Sequence, residues 1–204
     1  MNKLKRIIVG TLAVALTLGM AGCKKSSKLS HATLKNAAKS CGAEVVEDSD
    51  SFARIANQLY GYSVLISEKG DEAQSLFESQ VTPTEGMPKV KEFSIFMSAP
   101  DEYCFCYFTM VTFDKEEDAD EFYKINCSSV QGNIIGNDGY SYNLRYTVSD
   151  DSSIDQACTY QKGKIVIFAL SGNPGSIQFN DLDTICQELG IKSPSSVAKK
   201  MPKT

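Results

Sequence analysis

The sequence predicts an α+β domain, a mainly antiparallel sheet with helices on one face, and three observations carry that expectation. Residues 90–97 and 103–113 are rich in aromatic and β-branched side chains, as strands are. The turn Ala99-Pro100-Asp101-Glu102 between them is too short for a crossover, so the two strands pair antiparallel. Elsewhere apolar residues return at helical spacing, and the helices they predict follow strands.

Taken in order, Ser30 caps a helix whose apolar face is Leu34, Ala37, Ala38 and Cys41, and Gly42 ends it. Residues 43–47 read as a short strand, and 51–59 are more helix than strand. A strand at 62–67 precedes a helix at 71–80, and Pro83 and Pro88 punctuate the loop beyond it. After the strand pair, Asp114 with Glu117 three residues on starts a helix in the manner of an acidic capping box. The acid cluster Asp114, Glu116, Glu117 and Asp118 suits the positive end of that helix's dipole, which accounts for it without a metal or a reaction. A strand at 140–148, a hairpin around Lys162-Gly163 and a last helix at 177–189, stopped by Gly190, complete the pattern. Glu68-Lys69-Gly70-Asp71-Glu72-Ala73 and Asp114-Lys115-Glu116-Glu117-Asp118-Ala119 match in chemistry. This weak internal repeat, with halves at 43–90 and 91–191, suggests a ferredoxin-like or split βαβ arrangement.

The first 22 residues read differently. Lys3, Lys5 and Arg6 precede a short uncharged run rich in Ile, Leu and Val, the order of a secretory signal. That run is too short to span a bilayer comfortably. It ends in Met20-Ala21-Gly22-Cys23, which resembles the bacterial lipobox, with Met where Leu is commoner. The resemblance implies cleavage before Cys23, lipid on its thiol, and a place on the outer face of the cell membrane. Residues 23–30 then form a tether whose Lys24, Lys25 and Lys28 lie near anionic head groups, 31–191 a single domain, and 192–204 a disordered tail. By its lipobox and strand–acidic-helix pattern the whole chain resembles uncharacterised α+β lipoproteins of Gram-positive bacteria, a likeness that implies no activity.

Removing residues 1–22 takes three of the 21 basic residues and none of the 25 acidic ones, leaving a net charge of about −7. That balance excludes general nucleic-acid binding. The six cysteines other than Cys23 are Cys41, Cys104, Cys106, Cys127, Cys158 and Cys186. They can pair as disulfides in an exported domain or stay as free buried thiols, and the spacing leaves both open. No pair of metal-ligand motifs is present, so no metal and no cofactor is expected. His31, the only histidine, falls beside the tether, so no histidine-based catalytic group is expected in the domain.

Two functional readings follow. The preferred one is a non-catalytic envelope domain that binds a protein, peptide or small ligand, with Tyr140, Tyr142 and Tyr146 on one side of a strand as the binding face. The other is an envelope enzyme or thiol-active factor using Cys104 and Cys106 or a carboxylate pair such as Asp150-Asp151 with Asp155, or Asp181 with Asp183. The anchor is directly testable. Intact mass of the membrane-bound protein should show a mature chain that begins at Cys23 and carries lipid, and Cys23→Ser should abolish both cleavage there and lipidation. Any other mature amino terminus would overturn the assignment.

Overall fold

The computed structural model describes residues 29–81, 88–129, 133–137, 140–149, 153–174 and 178–198. The expected signal at 1–22 and the expected lipidation site Cys23 lie outside these residues, as does the expected tether up to 28.

Helix α1, His31–Ser40, starts where Ser30 Oγ accepts the Thr33 N–H at 3.2 Å. Strand β1, Glu44–Val46, follows, and then α2, Ser49–Ala56. Asp48 decides the ambiguous 51–59 segment in favour of helix, because its carboxylate accepts the Ser51 N–H at 2.7 Å. Strand β2, Tyr62–Lys69, runs into α3, Gly70–Gln80. The predicted antiparallel pair is β3, Val90–Ala99, with β4, Phe105–Phe113. Helix α4, Glu116–Ser129, leads to β5, Asn133–Asn137, and β6, Tyr140–Val148. The hairpin of β7, Ile154–Lys162, and β8, Ile165–Asn173, precedes α5, Asp181–Leu189. Gly190, at φ 72°, ends α5 in the left-handed conformation glycine tolerates.

The eight strands form one sheet in the order β1-β2-β3-β4-β8-β7-β6-β5. Only β1 and β2 are parallel; every other pairing is antiparallel. The α+β, mainly antiparallel class therefore holds. A ferredoxin-like order does not, because β2 and β3 are neighbours in both chain and sheet and α3 joins an antiparallel pair instead of crossing to a parallel strand.

The helices also occupy both faces rather than one. On one face, here face A, α1 and α5 bury Leu34, Ala38, Leu182 and Ile185 against Leu65, Phe96, Phe108 and Ile167. On the opposite face B, α2, α3 and α4 bury Phe52, Phe77 and Ala119 against Ile66, Phe93, Ile95, Val111 and Phe113. The cause is β4, which is apolar on both sides in its inner half, so each side needs its own cover. The matching segments of the repeat lie alike: Ala73 and Phe77 of α3, and Ala119 and Tyr123 of α4, enter the same cluster. Thereafter they differ, since α3 leads to the neighbouring strand and α4 to the far edge.

The expected disordered tail at 192–204 is corrected in part, because α6, Pro194–Ala198, is helical. Pro194 suits a first helical position. The segment docks through polar contacts, which an apolar-periodicity search cannot see: Ser195 Oγ donates to Asp183 Oδ1 at 2.7 Å and Ser196 Oγ to Ser193 O at 2.7 Å.

On face B, Phe77 meets Phe93 edge-on at 5.6 Å and Phe113 at 5.9 Å, with the Phe122 ring at 5.4 Å. Phe77→Ala should cost about 3–5 kcal/mol in chemical denaturation. Phe105→Ala, on the same face but 45 % exposed, should cost less than about 1 kcal/mol. Similar costs would mean that the two rings have been assigned to the wrong environments.

Candidate functional site

Strand alternation puts Tyr142 and Tyr146 on the same side of β6, as expected, but that side is face A. Tyr142 is 1 % exposed, stacks on Tyr160 at 3.8 Å and 15°, and belongs to the core. Burial pushes both phenols up from their ordinary range, so they stay neutral. Tyr146 is half-buried against the same core. The Tyr140 side chain lies outside what the structure describes. Tyr142 and Tyr146 therefore form no exposed binding face: alternation gives a shared side, and the helices α5 and α6 decide that it is the covered one.

An open surface exists on face B. Register brings the start of β2, the end of β3, the start of β4, the end of β8, the start of β7 and the end of β6 to one end of the sheet. Helices α2, α3 and α4 pack on face B away from its centre at this end. Met97, Tyr107, Phe168 and Leu170 lie there half-buried, with Met97 and Tyr107 packed against the edge of the face B core. Tyr107 and Phe168 meet edge-on at 6.5 Å. Phe105 extends the patch to the rim, lying over Gly172, where a Cβ would run into its ring and the Asp155 carboxylate. Beside it the connections at 57–61 and 100–104 carry Leu59, Tyr60 and Tyr103. With Phe105 and Val148 these make five of the six exposed large apolar residues among the described ones, all at this end. Such a concentration marks a contact surface, whereas scattered exposed apolar residues do not.

The thiols offer less. Cys41, Cys104, Cys106, Cys158 and Cys186 are free. Burial pushes Cys41 up to about 12 and Cys104 to about 11, with nearby Asp181 and Asp101 respectively acting in the same direction. Cys106, wholly enclosed, is raised further, again by burial first. Protonated thiols beside carboxylates are poor nucleophiles. Of the carboxylate candidates, Asp155 is exposed on face B, and Asp150 and Asp151 lie outside the described residues. Asp183 takes the Ser195 hydroxyl, and Asp181, half-buried, is raised by that burial against hydrogen bonds from Ser98 and Cys41. Among the described residues no group of three His, Cys, Asp or Glu could hold a metal ion. In an open cleft between α3 and β3, Lys91 pairs with Asp114 at 3.6 Å, and Gln74 donates to Pro88 O and accepts the Val90 N–H.

His31 is the residue the sequence placed worst. It is 5 % exposed, not solvated beside a tether. Its Nδ1 lies 2.7 Å from Ser94 Oγ, its Nε2 2.9 Å from Thr112 Oγ1, and Ser67 Oγ joins Ser94 at 2.7 Å. Among the described residues no carboxylate orients the ring in this chain of hydroxyls. Burial, then Lys69, pulls its pKa down to about 4. The first turn of α1, whose dipole is positive there, works in the same direction.

No family model and no curated protein matches this chain. Among solved structures it is similar to the extracellular domain of PknH from Mycobacterium tuberculosis, at 9 % identity over 76 % of this chain and 93 % of that one, with a TM-score of 0.39. A likeness that loose bears on neither fold nor function.

The imidazole makes a pH prediction. Its folded pKa, about 4, lies below its ordinary 6.5. The stability tied to the neutral ring is therefore full above pH 6.5 and is lost as pH falls towards 4, by up to about 3 kcal/mol. Urea unfolding at pH 7 and pH 4.5 should show that loss, and His31→Gln should lose less over the same interval. Equal losses in the two proteins would refute the assignment.

Proposed function

We propose that this chain is a lipid-anchored, extracytoplasmic, non-catalytic domain that binds a polypeptide partner through the open end of face B. The observation that carries this is the patch of Met97, Phe105, Tyr107, Phe168 and Leu170 together with the exposed apolar side chains gathered at the same end. Helix α1 begins at the other end of the sheet, where His31 meets Thr112 near the close of β4, so a chain arriving from Cys23 enters at the end away from the patch. Rings that are half-exposed, rigid and, in Tyr107, tipped with a hydroxyl suit a protein partner. Among the described residues no helix is long and apolar enough to cross a membrane, so in this reading lipid on Cys23 is the attachment.

A photoreactive amino acid at position 105 tests the surface in intact cells. It should give one discrete protein adduct, and the same group at Ile125, exposed on α4, should not. No adduct at 105, or the same adducts from both positions, would overturn the binding face and leave the anchor to be judged by mass alone.

A further inference from the structure

The first turn of α1 is held to the sheet through one imidazole. His31 Nδ1 meets Ser94 Oγ of β3 at 2.7 Å and Nε2 meets Thr112 Oγ1 of β4 at 2.9 Å, and Ser67 Oγ of β2 extends the chain at 2.7 Å from Ser94 Oγ. Its neighbours in the turn do not share that role. Ala32 is exposed, and Ser30 and Thr33 bond to each other at 2.9 Å. Ahead of the turn, Leu29 adds one apolar side chain to the core. The rest of α1 is held differently. Leu34, Ala37 and Ala38 are buried in the face A core, and beyond them Cys41 Sγ donates to Asp181 O at 3.9 Å.

A neutral imidazole donates through one nitrogen and accepts through the other, which a chain of hydroxyls can match. A second proton changes two things. The hydroxyl that donated to the ring must turn round and accept, and a full positive charge is enclosed in a site only 5 % exposed. The surroundings oppose that charge. Lys69 of β2 repels it, and the ring stands at the positive end of the α1 dipole. Acids on the adjoining elements are engaged elsewhere, Glu92 of β3 with Lys69 at 3.4 Å and Asp114 beyond β4 with Lys91 at 3.6 Å. Lys35 of α1 and Glu188 of α5 are exposed.

We infer that His31 is a proton-sensitive latch, whose protonation releases the first turn of α1 from β3 and β4 while the sheet and the remainder of the helix stay folded. Release adds residues 29–33 to the connection ahead of the domain. The latch depends neither on the binding face nor on lipid at Cys23. Its response follows from linkage. In place, the ring has a pKa of about 4, lowered by burial first and Lys69 second; released to water it returns to 6.5. The proton therefore favours the released form as pH falls below 6.5, and from pH 7 to pH 4.5 that form gains about fiftyfold.

Native-state hydrogen exchange of the full chain at the two pH values, corrected for the pH dependence of free amides, tests this. The Leu34 N–H, which donates to Ser30 O at 3.0 Å, should lose about fiftyfold in protection. The loss should be insensitive to dilute urea, as a local opening is, whereas β4 amides such as that of Phe108 should exchange through a urea-dependent opening. His31→Gln, whose amide donates and accepts but takes up no proton, should show almost no loss. Lys69→Gln leaves the ring in place and removes the repelling charge, so its loss should be smaller than the parent's. A loss at Leu34 below about fivefold, a loss that grows with urea as in β4, or an undiminished loss in either variant would each overturn the proposal.

Discussion

The pairing of β4 with β8 is the contact on which the remainder of the structure rests. Each strand is the last of a run of neighbours, β1 to β4 on one side and β5 to β8 on the other. Eight residue pairs from Phe105↔Gly172 to Thr112↔Ile165 join the two runs into one sheet. Once joined, β4 and β8 lie in the middle, where both sides are shielded from water. Their side chains then demand cover above and below, and the six helices among the described residues divide between the faces to supply it.

That demand also explains why one area stays open. The helices on face B arise from connections that leave β1, β2 and β4 at the end where α1 begins, and they pack most of their apolar residues there. The centre of the opposite end is left to the sheet's own side chains, where Tyr107 meets Phe168 and Phe105 lies over Gly172. On face A the last helices come back over that end, so polar residues are sealed beneath α5 rather than exposed. Two chemically different surfaces thus arise at one end of one sheet.

Local structure was largely legible in the sequence. The strand pair β3–β4, the helix after β2, the hairpin at Lys162-Gly163 and the stop at Gly190 follow from alternation, spacing and turn chemistry. What was not legible depends on which side of a strand meets a helix. Alternation groups Tyr142 with Tyr146 but cannot say that α6 covers them. The apolar character of β4 on both sides did contain the signal for two-sided cover, since a strand so built cannot face water. His31 was misplaced because its partners, Ser94 and Thr112, stand 63 and 81 residues away and carry no pattern of their own. The patch was invisible for the same reason: its residues come from β3, β4 and β8 and become neighbours only through register.

The contacts of His31 have a mechanical consequence. Helix α1 enters at one end of the sheet and is fastened there to the adjacent strands β3 and β4 through Ser94 and Thr112. Tension applied through residue 29, and resisted by whatever grips the far end, runs along the strand axes. Such a pull loads the hydrogen bonds of β3 and β4 in shear, many at once, instead of peeling them one after another from an edge. The short outer strands β1 and β5 stand outside the line of force. The domain is therefore built to yield last along the direction in which a stalk would be drawn, and to yield first if prised open sideways at β5.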